Sequence, residues 1–257
     1  MSSLRNSIVC ITGASSGIGE ACAVEFAKQG SSLLLAARRK ERLDALAGDL
    51  RARHGVRVHT VALDVRNRKD VESVFSSLPS EWRAIDILVN NAGLSRGFDK
   101  LQNGSIQDWE EMIDTNVKGL LYVTRSVLPG MVERNSGHII NIGSIAGQQI
   151  YPNGNVYCAS KFAVNALSQG LRMDLLGTNV RVSSVDPGLV ETEFSEVRFR
   201  GNKERATQVY AKMKPLKGND IAEIVVFCAT RPLHVDISQV MVMPVDQASV
   251  NHVHRAG

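Results

Sequence analysis

The feature that most limits how this chain can fold is an alternation. Short apolar runs at 8–12, 32–37, 56–63, 85–89, 138–143, 180–185 and 239–243 are separated by longer amphipathic segments. Runs that are apolar on both sides read as strands covered on both faces, and parallel strands need long crossovers that helices supply. The pattern therefore predicts an α/β fold, a doubly wound parallel sheet of about seven strands with helices on both faces. Helices are expected over 20–28, 40–53, 67–77, 105–131, from about 155 onward, and over 219–230. With 257 residues, 44% of them hydrophobic, the chain is long enough to bury a full core. One domain spanning 1–257 is the expectation.

Composition removes several function classes. The net charge of +4 is small and its cations are interleaved with acids, which argues against a nucleic-acid surface. The opening segment 1–7 is short and polar, and the apolar run 8–11 is too brief for a signal peptide or a membrane span. A cytoplasmic protein is expected. Cys10, Cys22, Cys158 and Cys228 form no Cys-x-x-Cys pair, so neither zinc nor a disulfide framework is indicated. His252 and His254 lie in a polar tail without acidic or thiol partners, and no metal is expected there either.

The first apolar run leads directly into Thr12-Gly13-Ala14-Ser15-Ser16-Gly17-Ile18-Gly19 and then a helix. Glycines between a strand and a helix allow a tight turn, close approach of backbone to a ligand, and packing of helix on sheet. The helix N-terminus then presents free N–H groups to an anion such as a pyrophosphate. The spacing is Gly-x-x-x-Gly-x-Gly, not the usual dinucleotide pattern Gly-x-Gly-x-x-Gly, and a plain Gly-rich turn is the alternative. The second run ends at Arg38-Arg39-Lys40, where an NAD-preferring fold would carry an acid. Cations at a helix start oppose its dipole, an arrangement that a 2′-phosphate would reverse, pointing to NADP. A solvated charge cluster is the other reading.

Further along, Asp64 and Val65 end the third run, where they are positioned to meet an adenine or, for Asp64, to cap the next helix. Asn90-Asn91-Ala92-Gly93 closes the fourth run, at the carboxyl end where such sheets bind ligands. Asn116 sits inside a helical pattern that it disfavours, either for a special task or at a local bend. Ser144 follows the fifth run. Tyr157 and Lys161 are four residues apart, hence on one helix face, and an ammonium beside a phenol lowers its pKa from about 10. Small and apolar residues, including Ala159, Ala163, Ala166 and Gly170, cover more of that helix than one buried face needs. A closed homo-oligomer, with a tetramer favoured, is expected to use it. The irregular segment 189–213 reads as a lid.

These motifs, in this order and over nearly the whole chain, resemble the short-chain dehydrogenase/reductase family, whose fold is Rossmann-type. The resemblance rests on Thr12 to Gly19, Asn90 to Gly93, Ser144, Tyr157-Cys158-Ala159-Ser160-Lys161 and Pro187-Gly188. Within the family the chain looks most like the NADP-dependent 3-hydroxy acid dehydrogenases that act on serine and allo-threonine. Asp108-Trp109, Asp114-Thr115-Asn116, Glu193-Phe194-Ser195, Val197-Arg198-Phe199 and the tail through Arg255 carry that closer likeness.

The resemblance implies roles. Tyr157 would be the general acid/base, Lys161 its pKa tuner and a ligand of the nicotinamide ribose, Ser144 the partner of the substrate oxygen, and Asn116 the holder of a relay water. Cofactor contacts would come from Gly13, Ser15, Ser16, Gly17, Ile18, Gly19, Arg38, Arg39, Asp64, Val65, Asn91, Ala92, Gly93, Tyr157, Lys161, Pro187, Gly188, Val190 and Thr192. Many NADP-using relatives also carry a cation inside the glycine loop. Ala14, Ser15 and Ser16 stand there, so NADP preference rests on Arg38 and Arg39.

The implied function is reversible oxidation of short 3-hydroxy acids or 3-hydroxy amino acids, with the substrate carboxylate met by Arg96, Arg198, Arg200 or Lys203. A carbonyl or 3-oxoacyl reductase is the alternative, since the catalytic residues do not encode the acyl part. A non-catalytic dinucleotide-binding regulator is the remote one.

Overall fold

The computed structural model describes residues 3–256, so Met1 and Ser2 of the polar opening segment lie outside the described residues. Four apolar residues and Thr12 form β1 (Ile8–Thr12), and the chain turns at once into α1 (Gly17–Lys28). The alternation then continues through β2 (Ser32–Ala37), α2 (Lys40–His54), β3 (Val58–Ala62), α3 (Arg68–Ser76) and β4 (Ile87–Asn90). After β4 come α4 (Ile106–Ile113), α5 (Leu120–Glu133), β5 (Gly137–Ile142), α6 (Asn155–Asp174) and β6 (Val180–Pro187). A short excursion, β7 (Val190–Glu191), α7 (Phe194–Arg198), α8 (Lys203–Gln208) and β8 (Leu216–Lys217), precedes α9 (Gly218–Ala229) and β9 (Gln239–Val242).

The main sheet has seven strands in the order β3-β2-β1-β4-β5-β6-β9. Every pair in it is parallel. Successive residues of a strand face opposite sides, and β1 divides accordingly. Val9 and Ile11 join Phe26, Leu43, Leu50 and Ile221 in one core layer, while Ile8 and Cys10 join Val71, Phe75, Val123 and Met131 in the other. The order reverses between β1 and β4, whose following chains leave toward opposite faces and open a crevice at the strands' carboxyl ends.

Two local expectations change. The helix expected over 105–131 is interrupted by a π-helical stretch, Asp114–Gly119, that contains Asn116. The extra residue in the turn lets Asn116, which is buried, reach back across the fold instead of following the α-helical register. Asp64 does not cap α3. Asn67 does so with its own side chain, accepting from the amides of Lys69 and Asp70, while the Asp64 carboxylate accepts from Arg66.

One buried titratable group belongs to the scaffold. His138 on β5 hydrogen-bonds Ser183 Oγ at 2.8 Å, and burial, with Arg181 nearby, lowers its pKa from 6.5 to about 3. The unfolded chain binds a proton that the native ring refuses, so this group leaves stability intact above pH 6.5 and erodes it as pH falls toward 3. At about pH 4.5 the loss is about 2–3 kcal/mol. Urea unfolding at neutral pH and at about pH 4.5 is expected to show that difference shrink in His138→Gln.

Candidate functional site

The site starts at the gap between β1 and β4. Thr12 Oγ1 accepts from the backbone amides of Asn91 (3.1 Å) and Ala92 (3.0 Å). In return, Asn91 Nδ2 donates to the carbonyls of Thr12 (2.9 Å) and Gly13 (3.1 Å). The glycine loop is held against this stitch. Gly13 and Gly17 have φ of +64° and +58°, which favours glycine. Gly19 is required for a different reason, because a Cβ there would lie 2.4 Å from Asn91 Nδ2 and 2.5 Å from the Gly13 carbonyl. Above the loop, α1 begins at Ser16 without a side-chain cap, leaving its N-terminal amides for a ligand.

A cleft of about 1220 Å³ runs over this surface. Gly13, Ser15, Ser16, Gly17 and Ile18 line it from the loop, Arg38, Arg39, Asp64 and Val65 from the ends of β2 and β3, and Asn91, Ala92 and Gly93 from the end of β4. Pro187, Gly188, Val190 and Thr192 close it after β6, and Ser144, Tyr157 and Lys161 lie on the same wall. Gly19 and Asn116 act from behind the wall. Thr115, which sequence reasoning passed over, also lines the cleft, and its buried hydroxyl has no partner among the described residues. An elongated crevice with left-handed glycines, an uncapped helix start and an orphaned hydroxyl fits a dinucleotide.

The end of the cleft that holds Ser144, Tyr157 and Lys161 is built by three segments. Ser144 Oγ accepts from the Ala146 amide at 3.1 Å and lines the cleft with Tyr157. Lys161 is buried and donates from Nζ to the carbonyl of Ile142 at 2.9 Å, and burial lowers its pKa to about 8, against a smaller upward pull from Asp186. Asn116 Oδ1 accepts from Leu94 N, and its Nδ2 donates to Leu94 O and to Ser160 Oγ. The amide is thereby occupied in tying the chain after β4 to α6. It meets the site from below, since a Cβ on Gly93 would lie 3.3 Å from Asn116 Oδ1 and 3.6 Å from Lys161 Nζ.

Burial raises the pKa of Tyr157, and the opposing pull comes first from Arg198 and then from Ser144. Arg198 lies 5.2 Å from the centre of the Tyr157 ring, with the rings of Phe194 and Tyr151 at 5.5 and 5.6 Å. Its Nε donates to Ser95 Oγ (2.9 Å) and its Nη2 to Tyr151 Oη (2.5 Å), all neutral partners. The other cations singled out from the sequence are placed elsewhere. Arg96 pairs with Glu111 and holds the Val197 carbonyl, Arg200 pairs with Asp108, and Lys203 is exposed at the start of α8.

Three residues given no role from the sequence complete the walls. Tyr151 sits in the loop before α6, where nothing but its aromatic character marked it. Gln247 accepts from the Leu189 amide at 2.8 Å and anchors the chain after β6 from the C-terminal side. Glu193 pairs with Arg39 and Arg42. A Cβ at Gly19 has no room without moving Asn91 or Gly13, so Gly19→Ala is expected to weaken NADPH binding about tenfold or more, as overpacking of about 1–3 kcal/mol implies. Fluorescence titration measures it.

The sequence pattern of the short chain dehydrogenase family matches residues 7–203. The NADP-dependent 3-hydroxy acid dehydrogenase YdfG of Salmonella typhimurium is 52% identical over 97% of this chain and 100% of its own. Sulfoacetaldehyde reductase 2 of Chromohalobacter salexigens is 48% identical over 94% of this chain and 95% of its own. Among solved structures, the closed form of serine dehydrogenase complexed with NADP+ superposes with a TM-score of 0.90 at 49% identity, covering 97% of this chain and all of that one. The chain therefore belongs to the short chain dehydrogenase family.

Proposed function

We propose that this chain is an NADP-dependent dehydrogenase that reversibly oxidises the hydroxyl of short 3-hydroxy acids, 3-hydroxy amino acids such as serine and allo-threonine among them. The observation that carries the substrate class is Arg198. A guanidinium held by two hydroxyls and three aromatic faces, with no acidic partner among the described residues, offers a full charge to an anion beside the proposed catalytic phenol. A carboxylate is the partner that planar fork recognises best.

In this reading Tyr157 takes the proton from the substrate hydroxyl during oxidation and returns it during reduction. Bound NADP supplies the acceptor for the hydride. Ser144, which lines the same cleft as Tyr157, orients the substrate oxygen and stabilises it as its charge changes. Lys161 brings a buried ammonium to the same wall, and Asn116 is a positioning residue that fixes the chain around Leu94 and α6. Phe194, edge-on to Tyr157 at 5.6 Å, excludes water from the phenol.

Two further features fit the proposal. On α6, Ala159 and Ala166 are exposed, as is Phe162 (42%), an apolar face that a second copy in a homo-oligomer would cover. Four free, buried thiols suit the reducing cytoplasm, and no described helix is long and apolar enough to cross a membrane. The similarity to a sulfoacetaldehyde reductase favours a second reading, a carbonyl reductase for short anionic aldehydes at the same cation.

Initial rates with NADP and NAD on serine, allo-threonine, 3-hydroxybutyrate, 3-hydroxypropionate and butan-2-ol are expected to favour NADP and the acids; equal rates on the neutral alcohol would refute the substrate class. Turnover is expected to vanish in Tyr157→Phe while NADPH still binds, which separates an enzyme from a nucleotide-binding regulator. For Arg198→Met, KM for 3-hydroxybutyrate should rise about 10- to 100-fold, the worth of a charged hydrogen bond. The same variant should show no comparable rise in KM for the methyl ester of that acid.

A further inference from the structure

Glu193 joins the two ends of the cleft. It precedes α7, whose Phe194 and Arg198 stand over Tyr157, and its own carbonyl accepts from Val197 N in that helix's first turn. Its carboxylate reaches the other way, toward the cations at the end of β2. Glu193 Oε2 accepts from Arg39 Nη1 at 2.8 Å and Oε1 from Arg42 Nη1 at 2.6 Å.

Arg39 is engaged at each of its nitrogens. Its Nε donates to Ser15 Oγ at 3.2 Å and its Nη2 to Ser16 Oγ at 2.7 Å, so all three guanidinium nitrogens already have acceptors. Two of those are neutral serines of the glycine loop and one is a full negative charge. An incoming phosphate carries nearly two negative charges and seeks a bidentate guanidinium. With Glu193 still on Arg39, the two anions would repel across one cation. Arg42 gives the carboxylate somewhere to go, because it already holds the second oxygen.

We propose that Glu193 is an internal rival of the cofactor's 2′-phosphate: the carboxylate occupies the anion position at Arg39, and phosphate binding leaves it to Arg42 alone. The proposal rests on the NADP reading above. Glu193 then lowers the preference for NADP(H) over NAD(H), and Arg42 limits that penalty by offering the displaced carboxylate a second partner. Because Glu193 leads directly into α7, occupation of the phosphate site also reaches the segment that carries Phe194 and Arg198.

Dissociation constants of NADPH and NADH, measured by fluorescence titration at low salt, test this in the parent, Glu193→Gln and Arg42→Gln. Removing the rival charge is expected to tighten NADPH about two- to fivefold, the size of an exposed ion pair, and to leave NADH unchanged. Arg42→Gln is expected to weaken NADPH and again spare NADH. A Glu193→Gln protein whose NADPH/NADH ratio is unchanged or lower overturns the proposal, and so does an Arg42→Gln protein that binds NADPH as the parent does. If the parent itself binds NADPH no more tightly than NADH, it is the NADP reading that fails.

Discussion

The exchange of hydrogen bonds between Thr12 and Asn91 governs how the rest of the cleft is arranged. At the point where a doubly wound sheet reverses direction, the chains after β1 and β4 diverge, and their backbone groups would otherwise face a widening gap. One threonine hydroxyl and one asparagine amide close it with four bonds, all between 2.9 and 3.1 Å. The glycine loop has its height over the sheet because Asn91 grips Gly13, and α1 has its closeness to the loop because Gly19 carries no side chain to push Asn91 away. The position of the loop, of the helix start and of the following Ala92-Gly93 turn all depend on that contact.

A second asparagine repeats the strategy deeper in the fold. Asn116 ties Leu94 to Ser160, and so links the continuation of β4 to the helix that carries Tyr157 and Lys161. An uninterrupted α-helix over that region would follow a different register. The π-helical stretch at Asp114–Gly119 lets Asn116 face inward, and it coincides with Thr115 meeting the cleft. Local irregularity in the helix is thus the means by which two distant segments acquire a common origin.

Charge in the site is distributed by burial more than by sequence proximity. Tyr157 and Lys161 share a helix face, as four-residue spacing requires, yet the ammonium turns to the Ile142 carbonyl while Arg198, brought in by α7, acts on the phenol. A spacing argument finds residues that share a face, but it cannot say which way a long side chain points once strands and lid surround it. The four cations considered for the substrate carboxylate illustrate the same limit. Arg96, Arg198, Arg200 and Lys203 are alike in sequence, and only the positions of Glu111, Asp108, Ser95 and Tyr151 distinguish the paired ones from the one with neutral partners.

The amino-acid sequence by itself determined the alternation of strands and helices, the loop between β1 and α1, and the shared helix face of Tyr157 and Lys161, because apolar periodicity, glycine geometry and helical spacing are local properties. It also marked Asn116 as out of place in a helix, without saying why. Tertiary structure decided the rest: the π turn that aims Asn116, the neutral setting of Arg198, the anchoring by Gln247, and the sharing of Glu193 between Arg39 and Arg42. Each of these depends on groups separated by tens of residues or more, whose meeting is set by how the layers pack on the sheet and not by any pattern within one segment.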